Sequence, residues 1–243
     1  MDSELLPARI LDLKYLCEKT STPKFLGFLT PSEAAVVAKQ FKDGESYRLY
    51  GGYEEAERTV LCVLPDWCED PVYPITAFTF TYRKCDKLTH RAFLGALMAL
   101  GIARETVGDI LVEDGRAVVF ILKDVSNFVS SQISKIGRVG VAVTEGFCGS
   151  LPTLGKKESF TTTVASTRLD CIVAALCGFS RKDAAEKIAD GLVSVNSVCC
   201  AKATHNVIAD SIVTVRQKGK FEITGCDEHS KKGRIILKYN MYK

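Results

Sequence analysis

The chain has 243 residues, 47% of them hydrophobic and 25% charged, which indicates one large globular domain or two to three small ones and excludes a disordered chain. The formal net charge of +3 conceals an asymmetry, because residues 166–243 contain 13 Lys and Arg against 8 Asp and Glu, whereas residues 1–165 contain 19 against 21. Such a local basic excess is typical of a phosphate-binding surface, so we expect one in the C-terminal third.

The ten cysteines do not form a recognisable metal site. None stands in a Cys-x-x-Cys pair, and only Cys199 and Cys200 are adjacent. We interpret them as small buried residues in a reducing compartment, and we predict no metal and no cofactor. The chain begins without a basic stretch before an apolar core, and no apolar run reaches membrane-spanning length. We therefore expect a cytoplasmic protein with no membrane partner.

Residues 1–73 are predicted to form a helical N-terminal region. Apolar residues recur at helical spacing between positions 6 and 17. A capping box with proline at the first helical position, at residues 30–33, predicts a second helix. A short apolar strand follows from Val60 to Leu64. Trp67, the single tryptophan, either seals a domain junction or stacks on a nucleic-acid base.

Residues 74–146 alternate between strand and helix patterns. The predicted elements are strands at Ile75–Arg83, Asp109–Glu113, Ala117–Leu122 and Gly140–Thr144, and helices at Thr89–Leu100 and Val125–Ile136. This β-α-β-β-α-β order predicts a ferredoxin-like middle domain, so the fold class is α+β. Many RNA-binding domains share that arrangement, but so do many unrelated proteins.

The aromatic residues of this middle domain do not follow the pattern of an RNA-recognition motif. Phe78, Phe80 and Tyr82 alternate on the first strand, but the third strand, Ala117–Leu122, lacks the expected aromatic pair. We therefore expect the three aromatic residues to be mostly core. A basic cluster flanks the first helix and is either a solvated rim or a second, non-specific phosphate contact. Its candidate residues are Arg83, Lys84, Lys87 and Arg91, with Arg104 beyond the helix.

A glycine-rich linker is predicted at residues 147–165, before a C-terminal domain at 166–243. Within that domain, Gly178 separates two helices, and Gly191 suits the left-handed end of the second. Thr167 and Ser180 each stand three residues before an aspartate, which indicates a capping interaction at the start of each helix. Alternating valines then predict strands, ending in a β-hairpin.

The start of the second C-terminal helix is the strongest candidate for an RNA contact. A helix N-terminus offers free N–H groups and a positive dipole end, and Arg181 and Lys182 stand there to meet phosphates. The alternative is an ordinary pair of solvated surface charges. Asp170 is interpreted as a helix-start residue or as an ion-pair partner of Arg168.

The C-terminal segment resembles the S-four RNA-binding domain. The similarity rests on Arg-Leu-Asp at 168–170, Ser-Arg at 180–181, Gly-Leu-Val-Ser-Val-Asn at 191–196 and an aspartate before a valine-rich strand. It implies a helix–turn–helix whose second helix places its basic N-terminal end on structured RNA. The RNA-binding residues that this resemblance and the local charge indicate are Arg168, Ser180, Arg181, Lys182, Lys187, Asn196, Lys202, Lys218 and Lys220.

Across residues 48–243 the chain is similar to the YlmH family of bacterial RNA-binding proteins. The similarity is carried by GGYEEAER at 51–58, LTHRAFLGAL at 88–97, GIARETVGDI at 101–110 and the C-terminal domain. It implies partners in the ribosomal RNA of the large subunit and in tRNA or peptidyl-tRNA. It also implies a part in ribosome-associated quality control of stalled nascent chains. We expect a monomer.

No catalytic residue is predicted. The nucleotide-binding signatures of tyrosyl-tRNA synthetases and the glycine-rich loop of RNA methyltransferases are missing, and the core of pseudouridine synthases is not apparent. We therefore predict a non-enzymatic RNA-binding protein. Two alternatives stay open: an RNA-modifying enzyme or enzyme subunit that uses the domain for targeting, and a structural factor associated with cell division.

Overall fold

The structure is a computed structural model that describes residues 5–41, 46–152, 157–230 and 233–242. The chain forms two compact units, residues 1–154 (unit 1) and 155–243 (unit 2). Both units pack helices against antiparallel sheets, so the fold class is α+β. Among the described residues, no helix is long and apolar enough to cross a bilayer.

Unit 1 begins with two helices on a small antiparallel sheet. The elements are α1 (Leu6–Thr20), β1 (Lys24–Leu29), α2 (Pro31–Gln40), β2 (Tyr47–Tyr50) and β3 (Thr59–Val63), and the strand order is β1-β3-β2. The capping box is confirmed, because Thr30 Oγ1 accepts the Glu33 N–H at 3.3 Å and Glu33 Oε2 accepts the Thr30 N–H at 2.7 Å. Leu6 and Ile10 of α1 are fully buried against this sheet.

The helical prediction for residues 1–73 is wrong for β1 and β2, which are strands. The two faces of β1 are both covered: Leu26 packs beneath α1 and α2, whereas Phe28 packs against Leu111 and Val118 on the opposite side. A short strand buried on both faces is a continuous apolar run, which periodicity does not distinguish from a helix.

The expected role of Trp67 as the seal of a domain junction is also wrong. Its side chain is 65% exposed, although the indole N–H donates to the Ser21 carbonyl at 3.0 Å, just beyond α1. The ring is therefore fixed at the surface of unit 1.

The rest of unit 1 is a four-stranded sheet with two helices on one face. Its elements are β4 (Ile75–Thr81), α3 (His90–Ala99), β5 (Val107–Glu113), β6 (Arg116–Leu122), α4 (Lys123–Gln132), β7 (Lys135–Ile136), β8 (Val139–Gly140) and β9 (Ala142–Glu145). The sheet order β5-β6-β4-β9, with every neighbouring pair antiparallel, is that of the split βαβ arrangement. The second helix is shorter than expected, because Ile133 is already extended and residues 135–140 form a small hairpin.

Both faces of this sheet are covered within unit 1. On the helix side, Phe78 and Phe80 are 3% and 0% exposed, which confirms them as core. On the other side, Phe120 stacks on Tyr53 with ring centroids 5.1 Å apart and meets Phe147 edge-on. The surface on which a recognition-motif sheet stacks bases is therefore packed with protein.

Unit 2 is a helix–turn–helix on a six-stranded antiparallel sheet. Its elements are β10 (Lys157–Val164), α5 (Leu169–Cys177), α6 (Arg181–Ala189), β11 (Val193–Val195), β12 (Val198–Cys199), β13 (Ile212–Val215), β14 (Gly219–His229) and β15 (Ile235–Tyr242). The sheet order is β10-β15-β14-β13-β11-β12. Its core contains Leu169, Ile172 and Val173 of α5 and Ala184 and Ile188 of α6.

The predicted linker at 147–165 is wrong for residues 157–164. These residues form β10, whose register with β15 runs from Lys157 opposite Tyr242 to Val164 opposite Ile235. Lys156, Lys231 and Lys232 lie outside the described residues.

Candidate nucleic-acid interface

The turn between α5 and α6 places two basic side chains at a helix start. Gly178 ends α5 in the left-handed conformation, with φ of 68°, and Ser180 caps α6 by accepting the Asp183 N–H at 3.1 Å. Arg181 and Lys182 are therefore the first helical residues, and both are exposed. The predicted Ser180 cap is confirmed, whereas Thr167 makes no such cap, because α5 begins after Arg168 without a side-chain cap.

A buried carboxylate links the two arginines of this site. Asp170, which is 5% exposed, accepts hydrogen bonds from Arg168 Nε at 3.1 Å and Nη2 at 2.9 Å and from Arg181 Nη2 at 2.9 Å. Burial alone would raise the pKa of Asp170, but the bonds from both guanidinium groups outweigh it and hold the pKa well below the usual aspartate range. The predicted ion pair of Asp170 with Arg168 is confirmed.

The pair with Asp170 fixes Arg181 without hiding it. The Arg181 side chain remains 60% exposed, and the described bond to Asp170 uses one of its five N–H donors. A guanidinium that is held at one end and open at the other is pre-organised to bind a phosphate. Lys182, beside it, is exposed and adds a second positive charge.

A second group of predicted residues meets at an aromatic ring. Lys187 Nζ and Lys218 Nζ lie over the ring of Phe179, at 5.2 Å and 5.1 Å from its centroid. These cation–π contacts bring together the end of α6 and the turn before β14. Phe179 was not among the predicted site residues; its position between Gly178 and the Ser180 cap was the signal that could have identified it.

The remaining predicted residues are not joined to these groups by described contacts. Asn196 adopts a left-handed conformation, and its Oδ1 accepts the Ile212 N–H at 2.8 Å, so its side-chain oxygen supports a turn. Lys202 is exposed after β12. Lys220 Nζ lies 5.1 Å from the centroid of the Tyr242 ring.

The second basic cluster, in unit 1, is partly neutralised. Arg83 pairs with Asp86 at 2.9 Å, and Lys87 pairs with Asp114 at 2.9 Å. Lys84 and Arg91 are exposed. Two of the four predicted charges are thus offset by carboxylates, which weakens the local positive field.

Arg104 does not belong to the exposed part of that cluster. Its guanidinium donates to the Val107 carbonyl, and burial lowers its pKa from the ordinary arginine value. Its charge is therefore used within the fold of unit 1.

The motifs at residues 51–58 and 101–110 form a buried connection in unit 1. Asp109 accepts hydrogen bonds from the Tyr53 hydroxyl at 2.8 Å and from the backbone N–H groups of Glu57 and Arg58 at 2.7 Å and 3.1 Å. Burial raises the pKa of Asp109, and these three bonds oppose that shift. Gly52, at φ of 101°, has no room for a side chain, because a Cβ there would lie 2.4 Å from the Phe120 ring. These motifs therefore stabilise the fold.

The described residues include no cluster of three or more His, Cys, Asp or Glu that could hold a metal ion. The ten cysteines, all of which are described, are free thiols. Six of them are not buried: Cys85, Cys148 and Cys199 are exposed, and Cys68, Cys177 and Cys200 are partly exposed, so the expectation of small buried cysteines is wrong for these six.

Comparison with known proteins identifies similar chains. The family described as "Putative RNA-binding domain in YlmH" matches residues 69–147. "Ribosome-associated protein quality control protein P2" from Bacillus subtilis (strain 168) is 26% identical over 239 residues, which cover 96% of this chain and 93% of that protein. The solved structure "Cell division protein ylmH from Streptococcus pneumoniae" is 24% identical, with a TM-score of 0.50, over 60% of this chain and 92% of that chain. This last likeness shows the fold alone.

Proposed function

We propose that the chain is a member of the YlmH family and binds RNA of the large ribosomal subunit and tRNA or peptidyl-tRNA, because residues 69–147 match the RNA-binding domain described for YlmH and the Bacillus subtilis relative is similar over 96% of the chain. It acts as a non-enzymatic monomer in ribosome-associated quality control of stalled nascent chains. The name of the Bacillus subtilis relative supports the ribosomal setting, since the two proteins align over nearly their whole lengths.

The observation that carries the proposal is the exposed pair Arg181 and Lys182 at the start of α6. Both side chains are exposed at a capped helix N-terminus, where free N–H groups and the helix dipole also favour anions. The net basic charge of residues 166–243 extends this preference over unit 2.

The first prediction tests this pair. Arg181→Ala combined with Lys182→Ala should lower the affinity for ribosomal RNA and reduce the slope of log affinity against log salt by about 2, since two phosphate contacts are lost. The measurement is a salt titration of the full chain on purified large subunits and on tRNA. Lys19→Ala with Lys39→Ala removes the same charge from unit 1 and should leave the slope unchanged. An unaltered slope in the Arg181 and Lys182 variant would contradict the proposal.

The family match to residues 69–147 supports extending the proposal to a second contact in unit 1. Arg83, Lys84, Lys87 and Arg91 are the candidates, and Lys84 and Arg91 are those without a described carboxylate partner. The same titration on Lys84→Ala with Arg91→Ala measures that contribution separately. A slope equal to that of the wild type would confine the RNA contact to unit 2.

Two competing functions have separate tests. A cell-division factor, as the Streptococcus pneumoniae protein is named, should keep its partners when a pull-down is treated with nuclease, whereas a ribosome binder should lose them. If the chain is an RNA-modifying enzyme, the ribosomal RNA or tRNA of cells that lack it should be missing a modified nucleoside. Digestion of those RNAs to nucleosides detects that loss.

A further inference from the structure

A cavity of about 300 Å³ opens on unit 2 beside Arg181. It lies between the edge strand β10, helix α5 and the first residue of α6. Its lining combines the small side chains of Val164, Ala174 and Ala175 and the polar ones of Thr162, Thr163 and Cys171 with the ring of Phe179 and two guanidinium groups, Arg181 and Arg234. This volume is at the lower end of the range of about 300–1,000 Å³ that small-molecule sites occupy, so it suits one flat ring system.

Each arginine at this cavity makes a hydrogen bond within unit 2. Arg181 is held by Asp170 at 2.9 Å, and Arg234 donates from Nη2 to the Thr163 carbonyl at 3.1 Å. Each of these bonds uses one of five N–H donors, and both arginines are exposed. They are therefore positioned to bind a phosphate at the entrance of the cavity.

Phe179 connects the cavity to two further cations. Its ring lines the cavity, and Lys187 and Lys218 lie over the same ring at 5.2 Å and 5.1 Å from its centroid. The cavity is thus flanked by two arginines and two lysines. An apolar peptide side chain would gain nothing from these four charges, whereas a nucleotide within a strand presents a flat base between two phosphates.

We propose that this cavity receives the base of one unpaired nucleotide of RNA, while its flanking phosphates bind Arg181 and Arg234 on one side and Lys187 and Lys218 on the other. The inference rests on the proposed function, because it assumes that unit 2 binds RNA. It adds that unit 2 recognises an unstacked base in addition to the phosphate backbone. Any base would fit, because each offers a flat face to the aromatic ring.

The test compares three RNA hairpins that differ at a single position. One has a bulged nucleotide, one has the same bulge as an abasic nucleotide, and one is a continuous duplex. The full chain should bind the bulged hairpin about 5-fold to 100-fold more tightly than either of the others, as expected for one base stacked on an aromatic side chain. Equal affinity for all three would overturn the inference and leave the proposed function standing. Binding to none of the three, nor to ribosomal RNA, would overturn the proposed function itself.

A cavity-filling variant makes the test specific to this site. Ala175→Leu should abolish the preference for the bulged hairpin while leaving the affinity for the continuous duplex within about twofold of the wild type. Ala189→Leu, at the exposed end of α6, should keep the preference. A preference that survives Ala175→Leu would place the base elsewhere. If a free mononucleotide displaces the bulged hairpin completely, the cavity is a site for free nucleotides and the inference fails. The comparison of the three hairpins uses the wild-type chain, so it stays valid even if a variant does not fold.

Discussion

At the scale of single residues, Asp170 is the side chain on which the RNA-facing geometry of unit 2 depends. It is buried, and it holds Arg168 and Arg181 through three hydrogen bonds of 2.9–3.1 Å. Its negative charge would by itself repel RNA. Its effect on Arg181, however, is to orient a guanidinium that would otherwise sample many rotamers. A substitution that removes the charge of Asp170 should therefore strengthen RNA binding through charge but weaken it through the lost positioning of Arg181.

Asp170→Asn should weaken RNA binding although it makes the chain more positive. Freeing Arg181 adds an ordering cost on the order of 1 kcal/mol, so the affinity for ribosomal RNA should fall about fivefold. Asp183→Asn makes the same change of charge in the first turn of α6 and should leave binding equal or slightly tighter. Affinity is measured by titration at fixed salt, at a temperature where thermal melts show both variants folded. Tighter binding by Asp170→Asn would show that charge outweighs positioning.

At the scale of elements, the loop at residues 51–58 shows how a polar segment secures a sheet. The loop delivers three donors to the Asp109 carboxylate, and Arg58 donates to the carbonyls of Val107 at 3.0 Å and Phe28 at 2.8 Å. Burial lowers the pKa of Arg58 to about 10. The guanidinium thus connects β1 and β5, two strands that belong to different sheets of unit 1.

Asp109→Ala should destabilise unit 1 by on the order of 3 kcal/mol, because the donors of Tyr53, Glu57 and Arg58 lose their acceptor in a largely buried place. Urea unfolding followed by fluorescence of Trp67 reports on this unit, since the only tryptophan lies there. Asp114→Ala removes an exposed carboxylate from the turn after β5 and should change the stability by less than about 0.5 kcal/mol. Similar midpoints for the two variants would refute the structural role of Asp109.

The elements that the sequence predicted well are those whose signals are local. The capping box at Thr30, the Ser180 cap and the Gly178 break depend on residues within a few positions of each other. The Arg168–Asp170 pair was equally accessible, because its partners are two residues apart. The contact of Arg181 with the same carboxylate was not predicted, because it forms only when α5 and α6 fold against each other.

Elements whose partners are distant in the chain were missed. The sequence from Lys157 to Val164 follows several glycines, and its β-branched threonines become a strand by pairing with β15, more than seventy residues later. β1 was missed for a related reason. Its outer face packs against β5 and β6 and is not exposed to solvent, so the strand lacks the alternation of apolar and polar residues. In both cases the deciding contact is tertiary, which local propensity does not report.

At the scale of the whole molecule, β10 marks where unit 2 begins. It is the edge strand of the six-stranded sheet, and Val164 at its end is 2% exposed in the core beneath α5. The helix–turn–helix that carries Arg181 therefore rests on a sheet that includes residues well before the S-four-like sequence. A boundary at residue 166 would cut the unit through its own sheet.

This boundary leads to a prediction about chain fragments. Residues 155–243 alone should unfold in one cooperative transition, whereas residues 166–243, which lack β10, should melt at least about 6 °C lower. Losing the burial of Val164 costs about 1.5–3 kcal/mol, and each kcal/mol shifts the midpoint by about 4–8 °C in a domain of this size. Thermal melts followed by circular dichroism measure both fragments under the same conditions. Equal midpoints would mean that β10 contributes nothing to the stability of unit 2. In the fragment without β10, the pairing edge of β15 is uncovered, so this fragment should also self-associate at high concentration.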